Sequence, residues 1–294
     1  MAIPRRIIQT AKSQDLSPSA RASMANLKLL HPDWEHRFFD DAAIQQFVSE
    51  EFPQYRAVFD AFPRNIQRID FFRYLAIHRL GGFYFDLDVF LSEELSPLLE
   101  YGCVFPFEEL SINRYLRRNH GIDWEVGNYA FGAERGHPYL AAVIENCVRS
   151  QNEPSWVAPM MAHVPRWFRS DLEVLNTTGP GALTRTLAEQ PHTTTSLAVL
   201  FPEDVRDSEN WHQFGHYGVH LMDGSWRDRG SYLHRRMACL WEAWAQRRLL
   251  AESHQRGPRR ELPRDAMGAP GELLKAPTSR PSSNPLGVPE PWKI

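Results

Sequence analysis

The sequence predicts an α/β fold with one main domain, and three observations carry this prediction. Short apolar runs alternate with amphipathic helical patterns between residues 3 and 88, which is the rhythm of strands and helices that share one core. Hydrophobic residues make up 43% of the 294-residue chain, enough to build a sizeable core. No internal repeat interrupts this pattern, so we expect a single domain over residues 1–253.

The predicted elements follow one another in a regular order from the amino terminus. Pro4 marks the start of the first strand, and His31-Pro32 marks the end of the first helix. The pattern predicts strands over residues 3–9 and 35–39, helices over 17–30 and 42–50, and one or two further helices around Pro63 over 57–80.

A strand is predicted directly after the glycine pair Gly81-Gly82. The pair stops the preceding helix because glycine accepts the left-handed backbone at a helix end. The strand is expected over residues 83–88, and its period of two places Tyr84, Asp86 and Asp88 on one face.

The carboxyl-terminal part of the chain divides into a helix and a tail. Apolar residues recur at three- and four-residue steps over 231–253, and arginines lie on the same predicted helix. Such a helix either packs on its own domain or rests on an anionic membrane surface. Residues 254–294 are rich in proline and lack apolar periodicity, so we expect a disordered tail.

Composition excludes several classes of protein. The formal net charge of −3 leaves no basic excess for binding nucleic acid. The three cysteines are far apart and form no CxxC spacing, which argues against a disulfide framework or a structural zinc site and favours a reducing compartment. Without a signal peptide or a membrane span, we expect a cytoplasmic protein, in contact with a membrane at most peripherally.

Asp86 and Asp88 are the first candidates for chemistry. Two carboxylates this close together need a cation, and hard oxygen ligands suit Mg²⁺ or Mn²⁺, which also bind substrate phosphates. A diphosphate is therefore a natural ligand. The alternative is that these aspartates only accept hydrogen bonds from turn amides, as aspartates at strand ends often do.

Asp70 and Arg73 lie on one face of the helix that precedes the glycine pair. Arg73 falls within the apolar stripe of that helix, and a buried guanidinium needs a partner. Asp70, three residues earlier, can supply an ordinary ion pair, or the two side chains can together form a polar fork for sugar hydroxyls. The sequence leaves both interpretations open.

The run Ile69-Asp70-Phe71-Phe72-Arg73-Tyr74, followed by Leu80-Gly81-Gly82-Phe83-Tyr84-Phe85-Asp86-Leu87-Asp88, resembles the sugar-binding region of glycosyltransferase family 32. That family includes fungal α-mannosyltransferases and bacterial capsule-synthesis enzymes, and clostridial toxin glucosyltransferase domains share the signature. Residues 127–133, 178–182 and 220–226 are similar to further family blocks. Residues 3–10 look like the opening strand, although Ile8 and Ala11 stand where the family usually has His and Trp.

The resemblance implies a single domain of the GT-A type, a Rossmann-like sheet that binds a nucleotide-diphospho-sugar at the carboxyl ends of its strands. It also implies a role for each matching residue. Asp88 would bind Mn²⁺ or Mg²⁺, Asp86 would contact the metal and the ribose or sugar, and His220 would be a third metal ligand or a phosphate contact. The remaining donor contacts implied are Gln9, Thr10, Asp70, Arg73, Tyr84, Asn128, Ser225 and Trp226.

The function implied is transfer of a hexose, with retention of configuration, from a UDP- or GDP-sugar to a hydroxyl of a glycan or lipid-linked acceptor in surface polysaccharide or glycolipid synthesis. Three alternatives stay open: a toxin-like transferase acting on a protein side chain, a non-catalytic nucleotide-sugar-binding protein, and a metal-dependent phosphohydrolase. The basic interval 114–120 is either an acceptor- or phosphate-binding loop or a solvated surface.

Overall fold

The computed structural model describes residues 2–165, 169–190, 196–202, 204–205, 207–222, 240–241 and 243–251. These residues form a seven-stranded mixed sheet packed with helices, together with a second, three-stranded sheet. The predicted α/β class is confirmed.

The strands are β1 (Arg6–Thr10), β2 (Glu35–Phe39), β3 (Gly82–Phe85), β4 (Val89–Leu91), β5 (Cys103–Leu110), β6 (Trp124–Val126), β7 (Ala130–Ala133), β8 (Leu197–Leu200), β9 (Gln213–Phe214) and β10 (Gly218–His220). The α-helices are α1 (Pro18–Leu30), α2 (Asp41–Glu51), α3 (Arg56–Ala61), α4 (Asn65–Leu80), α5 (Pro138–Asn152), α6 (Pro154–Met161), α7 (Arg169–Thr177) and α8 (Pro180–Glu189).

The main sheet has the order β2-β1-β3-β7-β5-β6, with β8 paired to β5. β1 runs parallel to both β2 and β3, so the carboxyl ends of these three strands meet at one edge. β7 runs antiparallel to β3, with Phe85 opposite Ala130, which brings the residues just before β7 to that same edge. This edge is where ligands bind in open α/β sheets.

The two faces of the sheet are buried in different cores. Alternate residues of each strand point to opposite faces, so Tyr84 packs in the core that α4 and α5 cover, while Phe83 and Phe85 pack in the core that contains Leu27 of α1. Both faces are apolar, as expected for a sheet covered on both sides.

The strand predicted over residues 83–88 is wrong at its carboxyl end. β3 stops at Phe85, and Asp86 to Asp88 form a turn before the chain enters β4 of the second sheet. The amide of Asp86 still donates to the carbonyl of Tyr129 at 2.7 Å, and the amide of Val89 closes the turn onto the carbonyl of Asp86 at 3.2 Å. Both carboxylates therefore stand on a tight turn at the sheet edge.

The other predicted boundaries are close to those observed. The first strand begins at Arg6 and not at residue 3, because the Arg6 amide turns back to the carbonyl of Pro4 at 2.8 Å. Ser17 caps α1 through a 3.1 Å hydrogen bond from the Ala20 amide, as a serine at this position favours. The segment around Pro63 contains two helices, α3 and α4.

The predicted features of the carboxyl-terminal part are covered in part. Residues 240–241 and 243–251 are helical, whereas 231–239 and the proline-rich tail over 254–294 lie outside the described residues. Cys103 and Cys147 are buried free thiols. None of the described helices is long and apolar enough to cross a membrane.

Candidate active site

A cavity of about 1470 Å³ opens at the carboxyl edge of β1 and β3. Most of the predicted site residues meet there, although they come from distant parts of the chain. The predicted residues that line it are Thr10, Asp70, Arg73, Asp86, Asp88, Asn128 and His220.

Asp86, Asp88 and His220 form a group that can hold a metal ion. One ligand atom from each of the three residues lies within 4.8 Å of the others. The Nε2 atom of His220 is 3.2 Å from Oδ2 of Asp88, and the His220 ring stacks on Tyr129 with the ring centres 4.3 Å apart. The stacking fixes the plane of the imidazole toward the two carboxylates.

The second sheet brings His220 to this turn. β10 pairs antiparallel with β4, so that His220 stands opposite Val89, and the Leu221 amide donates to the carbonyl of Asp88 at 2.9 Å. The aspartate turn and the histidine strand are therefore joined by backbone hydrogen bonds.

The donor set fits a divalent cation. Carboxylate oxygens prefer hard ions such as Mg²⁺ and Mn²⁺, and an added imidazole nitrogen suits Mn²⁺ better than Mg²⁺. All three side chains are partly exposed, so open coordination positions would face the cavity. The Nδ1 atom of His220 is buried without a hydrogen-bond partner among the described residues, which leaves Nε2 as the atom directed at Asp88.

Asp70 and Arg73 are both buried and occupy adjoining positions on α4. Arg73 joins three groups: Nη2 is 3.2 Å from Oδ1 of Asp70, while Nη1 is 3.3 Å from Oδ2 of Asp86 and donates to the carbonyl of Asn128 at 2.7 Å. The guanidinium also lies over the Tyr84 ring, 4.6 Å from its centre. The pair is therefore more than an ordinary i,i+3 contact, because it extends to the aspartate turn.

Asp70 is held from a second side by Asn128 and Thr178. The Asn128 amide donates to Oδ1 at 3.0 Å, and the Thr178 hydroxyl donates to Oδ2 at 2.8 Å. Thr178 comes from the segment Thr178-Gly179-Pro180-Gly181, in which Gly179 and Pro180 line the cavity and Gly179 caps α8. This segment is thus a helix start that also supports the site.

Burial sets the protonation of these carboxyls. Desolvation raises the pKa of Asp70 to about 6, although Arg73 and the Thr178 hydrogen bond act in the opposite direction. Desolvation likewise raises the pKa of Asp86, opposed by Arg73 and His220. Desolvation of Arg73 would lower its own pKa, but Asp86, Tyr84 and Asp70 more than offset this and keep it cationic. A bound cation would favour the ionised form of Asp86.

Two of the predicted donor contacts lie behind the cavity wall instead of lining it. Tyr84 is fully buried, and its hydroxyl donates to Oδ1 of Asp86 at 2.8 Å and lies 2.9 Å from the Thr10 hydroxyl. Gln9 is 3% exposed and does not reach the cavity. Gln9 points away from the cavity because side chains alternate along β1, which directs Thr10 and Gln9 to opposite faces of the sheet.

Ser225 and Trp226 lie outside the described residues. The basic interval contributes Arg114, Arg117 and Arg118 to the cavity wall, and residues 116–120 of this interval form a short π-helix. The structure places these three arginines at the cavity, which favours the acceptor- or phosphate-binding interpretation of the interval over the solvated surface.

The cavity is also lined by four residues that no sequence pattern indicated: Glu108, Glu125, Tyr129 and His212. Glu108 and Glu125 lie on the paired strands β5 and β6, and no spacing rule links two glutamates 17 residues apart. The strand pairing would have been needed to find them.

The fold and the site together define an α/β protein with an acidic, metal-type centre at the carboxyl edge of its sheet. Residues 18–105 match the family model described as "Glycosyltransferase sugar-binding region containing DXD motif". The match confirms the resemblance noted in the sequence over residues 18–105, where Asp86-Leu87-Asp88 has the DXD pattern.

The relatives that the chain matches include mannosyltransferases of fungi. The chain is 31% identical over 148 residues to inositol phosphoceramide mannosyltransferase 3 of Schizosaccharomyces pombe, covering 50% of this chain and 38% of that protein. It is 23% identical over 262 residues to the initiation-specific alpha-1,6-mannosyltransferase of Candida albicans, covering 68% of this chain and 65% of that protein. The matched region spans about two fifths of the first relative's length. Among solved structures, the PaToxG glycosyltransferase aligns with a TM-score of 0.46 and 14% identity over 66% of this chain and 72% of that one.

Proposed function

We propose that this chain is a metal-dependent glycosyltransferase that moves a hexose from a UDP- or GDP-sugar to a hydroxyl of a glycan or lipid-linked acceptor. One observation carries the proposal: the metal-type group Asp86, Asp88 and His220 shares a cavity with the buried fork of Asp70 and Arg73. The DXD family match and the names of the fungal relatives support the same class of reaction.

The metal would be held by Asp86, Asp88 and His220. When bound, a divalent ion supplies electrostatic stabilisation of the negative charge that develops on a leaving diphosphate. Mn²⁺ is the ion that this mixed oxygen and nitrogen donor set favours.

The chain's own residues position the donor sugar. Asp70 is held rigidly by Arg73, Asn128 and Thr178, so any lone pair it directs at the cavity keeps a fixed position. The buried guanidinium of Arg73 lies 3.3 Å from Oδ2 of Asp86 and so fixes the position of that carboxylate. Such preorganised polar groups orient a substrate without further reorganisation.

Retention of configuration and place of action are also part of the proposal. Retention rests on the resemblance to family 32, and we expect departure of the diphosphate and attack of the acceptor on the same face of the sugar. A role in surface polysaccharide or glycolipid synthesis rests on the names of the relatives, and peripheral contact with a membrane rests on the arginines at the cavity. The cytoplasmic location stays a prediction from the sequence.

Thermal unfolding with nucleotide sugars tests the proposal. Wild-type protein is heated with UDP- and GDP-sugars, with and without Mn²⁺, and release of nucleoside diphosphate is measured in parallel. A donor at 100 times its dissociation constant adds about 2.7 kcal/mol of stability, or about 5 to 10 °C for a domain of this size. We expect that shift for one nucleotide only, and only with the metal.

Two variants complete the test. Asp88→Asn is expected to abolish both the metal-dependent shift and diphosphate release, whereas Asp60→Asn, which changes an exposed partner of Arg56, retains them. Release of inorganic phosphate from the nucleotide sugar would identify a hydrolase instead. A donor-dependent shift without any cleavage, in every acceptor tried, would identify a binding protein.

A further inference from the structure

A β-bulge between β5 and β6 gathers three carboxylates on one wall of the cavity. Phe107 pairs with Val126 and Leu110 with Trp124, so two residues of β5, Glu108 and Glu109, stand opposite the single residue Glu125. A bulge of this kind redirects side chains that strict alternation would send to opposite faces. All three glutamates line the cavity.

The three carboxylates differ in their partners. Glu109 accepts a hydrogen bond from the Gln246 amide at 2.9 Å. Glu125 is 8% exposed, and its Oε1 accepts from the Ser111 hydroxyl. Glu108 places Oε1 3.2 Å from Nδ1 of His212, while its Oε2 is buried without a hydrogen-bond partner in the described part of the chain.

Tyr129 provides a hydroxyl next to these glutamates. Its side chain is 2% exposed, it lines the cavity, and its hydroxyl has no hydrogen-bond partner among the residues described. Gly127 leaves room for this juxtaposition, because a Cβ there would lie 2.2 Å from Oε2 of Glu108 and 2.6 Å from Cε1 of Tyr129. Buried polar atoms in native proteins are almost always hydrogen-bonded to protein, water or a ligand, so these two oxygens can accept a partner from the cavity.

The cluster adjoins the metal-type group. The Tyr129 ring stacks on His220, and His212, the partner of Glu108, lies with its ring centre 6.4 Å from that of His220. A group bound between Glu108 and Tyr129 is therefore one aromatic ring away from the proposed metal. The acceptor hydroxyl that reacts must come within about 3.5 Å of the reacting carbon. The other hydroxyls of the acceptor must therefore be bound close to the metal-type group.

We propose that Glu108, Glu125 and the Tyr129 hydroxyl form the acceptor subsite, and that they bind adjacent hydroxyl groups of a neutral sugar or polyol ring. This inference rests on the proposed function. Carboxylates accept hydrogen bonds from hydroxyls, and the Tyr129 hydroxyl can donate to a ring oxygen or accept in turn. An anionic group in the same position would be repelled by the glutamates, so the phosphate or carboxylate of an acceptor would have to lie elsewhere.

Acceptor kinetics test the subsite. The probes are methyl α-glycosides of glucose, galactose and mannose, together with myo-inositol, and transfer is measured by mass spectrometry with the donor identified above. Tyr129→Phe keeps the ring that stacks on His220 and removes only the hydroxyl. We expect this variant and Glu125→Gln each to raise the acceptor KM about tenfold with the donor KM unchanged, the effect of one lost hydrogen bond.

Matched controls and deoxy probes sharpen the result. Tyr55→Phe and Glu50→Gln remove similar groups from the surface and should leave the acceptor KM at the wild-type value. The mono-deoxy analogues of the best probe are then compared in wild type and Tyr129→Phe. In the wild type, one analogue should have a KM about tenfold higher than that of the parent probe. In Tyr129→Phe the same analogue and the parent probe should have equal KM values, which identifies the hydroxyl that Tyr129 contacts.

The outcomes separate this inference from the proposed function. Wild-type protein that neither binds nor cleaves any nucleotide sugar would refute both. Wild-type protein that transfers, with variants that fold and keep the wild-type acceptor KM, would refute the subsite alone. Equal increases in donor and acceptor KM would show that these residues only support the fold. If Glu125→Gln does not fold, Tyr129→Phe decides the question.

Discussion

Arg73 determines the electrostatics at the centre of the site. Its guanidinium is enclosed between two carboxylates and an aromatic ring, and the side chain is 3% exposed. Asp70 and Asp86 repel one another, which is one reason why the pKa of Asp70 is raised to about 6, after the larger effect of burial. The arginine therefore lets two acidic groups remain close together before any metal binds.

Replacing Arg73 should destabilise the fold strongly. Arg73→Ala leaves buried Asp70 without its cation, and removal of one partner from a buried pair costs about 3 to 5 kcal/mol. Arg79→Ala is the control on the same helix, because its ion pair with Glu51 is half-exposed and is worth about 0 to 1 kcal/mol. Urea unfolding measures both. Similar losses of unfolding free energy in the two variants would show that the buried ion pair of Arg73 with Asp70 stabilises the fold no more than an exposed one.

Glu125 should make stability depend on pH. Burial raises its pKa to about 7, assisted by Glu108 and opposed by the Ser111 hydrogen bond. Between the unfolded pKa and about 7 the folded protein holds a proton that the unfolded chain has released, so this group contributes less stability as pH rises. As pH rises from 5 to 8, the free energy of unfolding of Glu125→Gln should increase by on the order of 2 kcal/mol relative to that of the wild type.

Urea titrations at several pH values across that range measure the difference. Glu50→Gln, an exposed change on α2, should give a curve parallel to that of the wild type. A parallel curve for Glu125→Gln as well would mean that the pKa of the Glu125 carboxyl in the folded wild type is not raised.

At the scale of elements, α4, the two glycines and β3 form the unit that positions the site. The helix runs back along the strand, so Arg73, eight residues before Gly81, stands about 12 Å from the glycines. Asp86, four residues after Gly82, stands about 13 Å from them on the same side. Because these two distances are similar, the side chains of Arg73 and Asp86 lie next to each other and make the 3.3 Å contact.

The local part of this unit could be predicted from the sequence. The helix, its glycine stop, the strand and the buried Asp70 and Arg73 follow from periodicity and from the special backbone of glycine. The strand end at Phe85 could not be predicted, because Leu87 continues the apolar alternation and the chain turns away only to pair with β10. The bulge that aligns Glu108 with Glu125 also depends on pairing between strands.

Gly82 should be irreplaceable at the start of β3. Its φ is +111°, and a Cβ would lie 2.6 Å from the backbone carbonyl oxygen of Arg6 in the neighbouring strand. Gly82→Ala must separate β1 from β3 or strain the backbone, with an expected loss of about 2 to 5 kcal/mol and weaker metal binding. Gly121→Ala, at φ +67° with nothing within 4 Å, should cost about 1 kcal/mol. Thermal or urea unfolding measures both variants. Equal losses of unfolding free energy would show that the positive φ, and not the contact with Arg6, determines the cost of Gly82→Ala.

At the scale of the whole molecule, the second sheet connects the carboxyl-terminal half of the described chain to the aspartate turn. β10 reaches β4 from a position about 130 residues later, and its pairing fixes His220 beside Asp88. The family resemblance indicated His220 as a candidate ligand, but its distance from the aspartates depended on this long-range pairing. The metal-type group therefore exists only when the main sheet and the second sheet are both formed.

His220 should consequently control metal affinity without controlling the fold. His220→Ala removes one of three ligands and leaves the β4–β10 backbone hydrogen bonds in place, so we expect unchanged unfolding and Mn²⁺ affinity at least tenfold weaker. The paramagnetic resonance signal of free Mn²⁺ during a titration measures that affinity without any substrate. His216→Ala is the control, because this histidine lies in the turn between β9 and β10 and faces Glu93 at 3.6 Å. Wild-type affinity in His220→Ala would mean that the two aspartates bind the ion alone, and the ring stacked on Tyr129 would then serve only to shape the cavity wall.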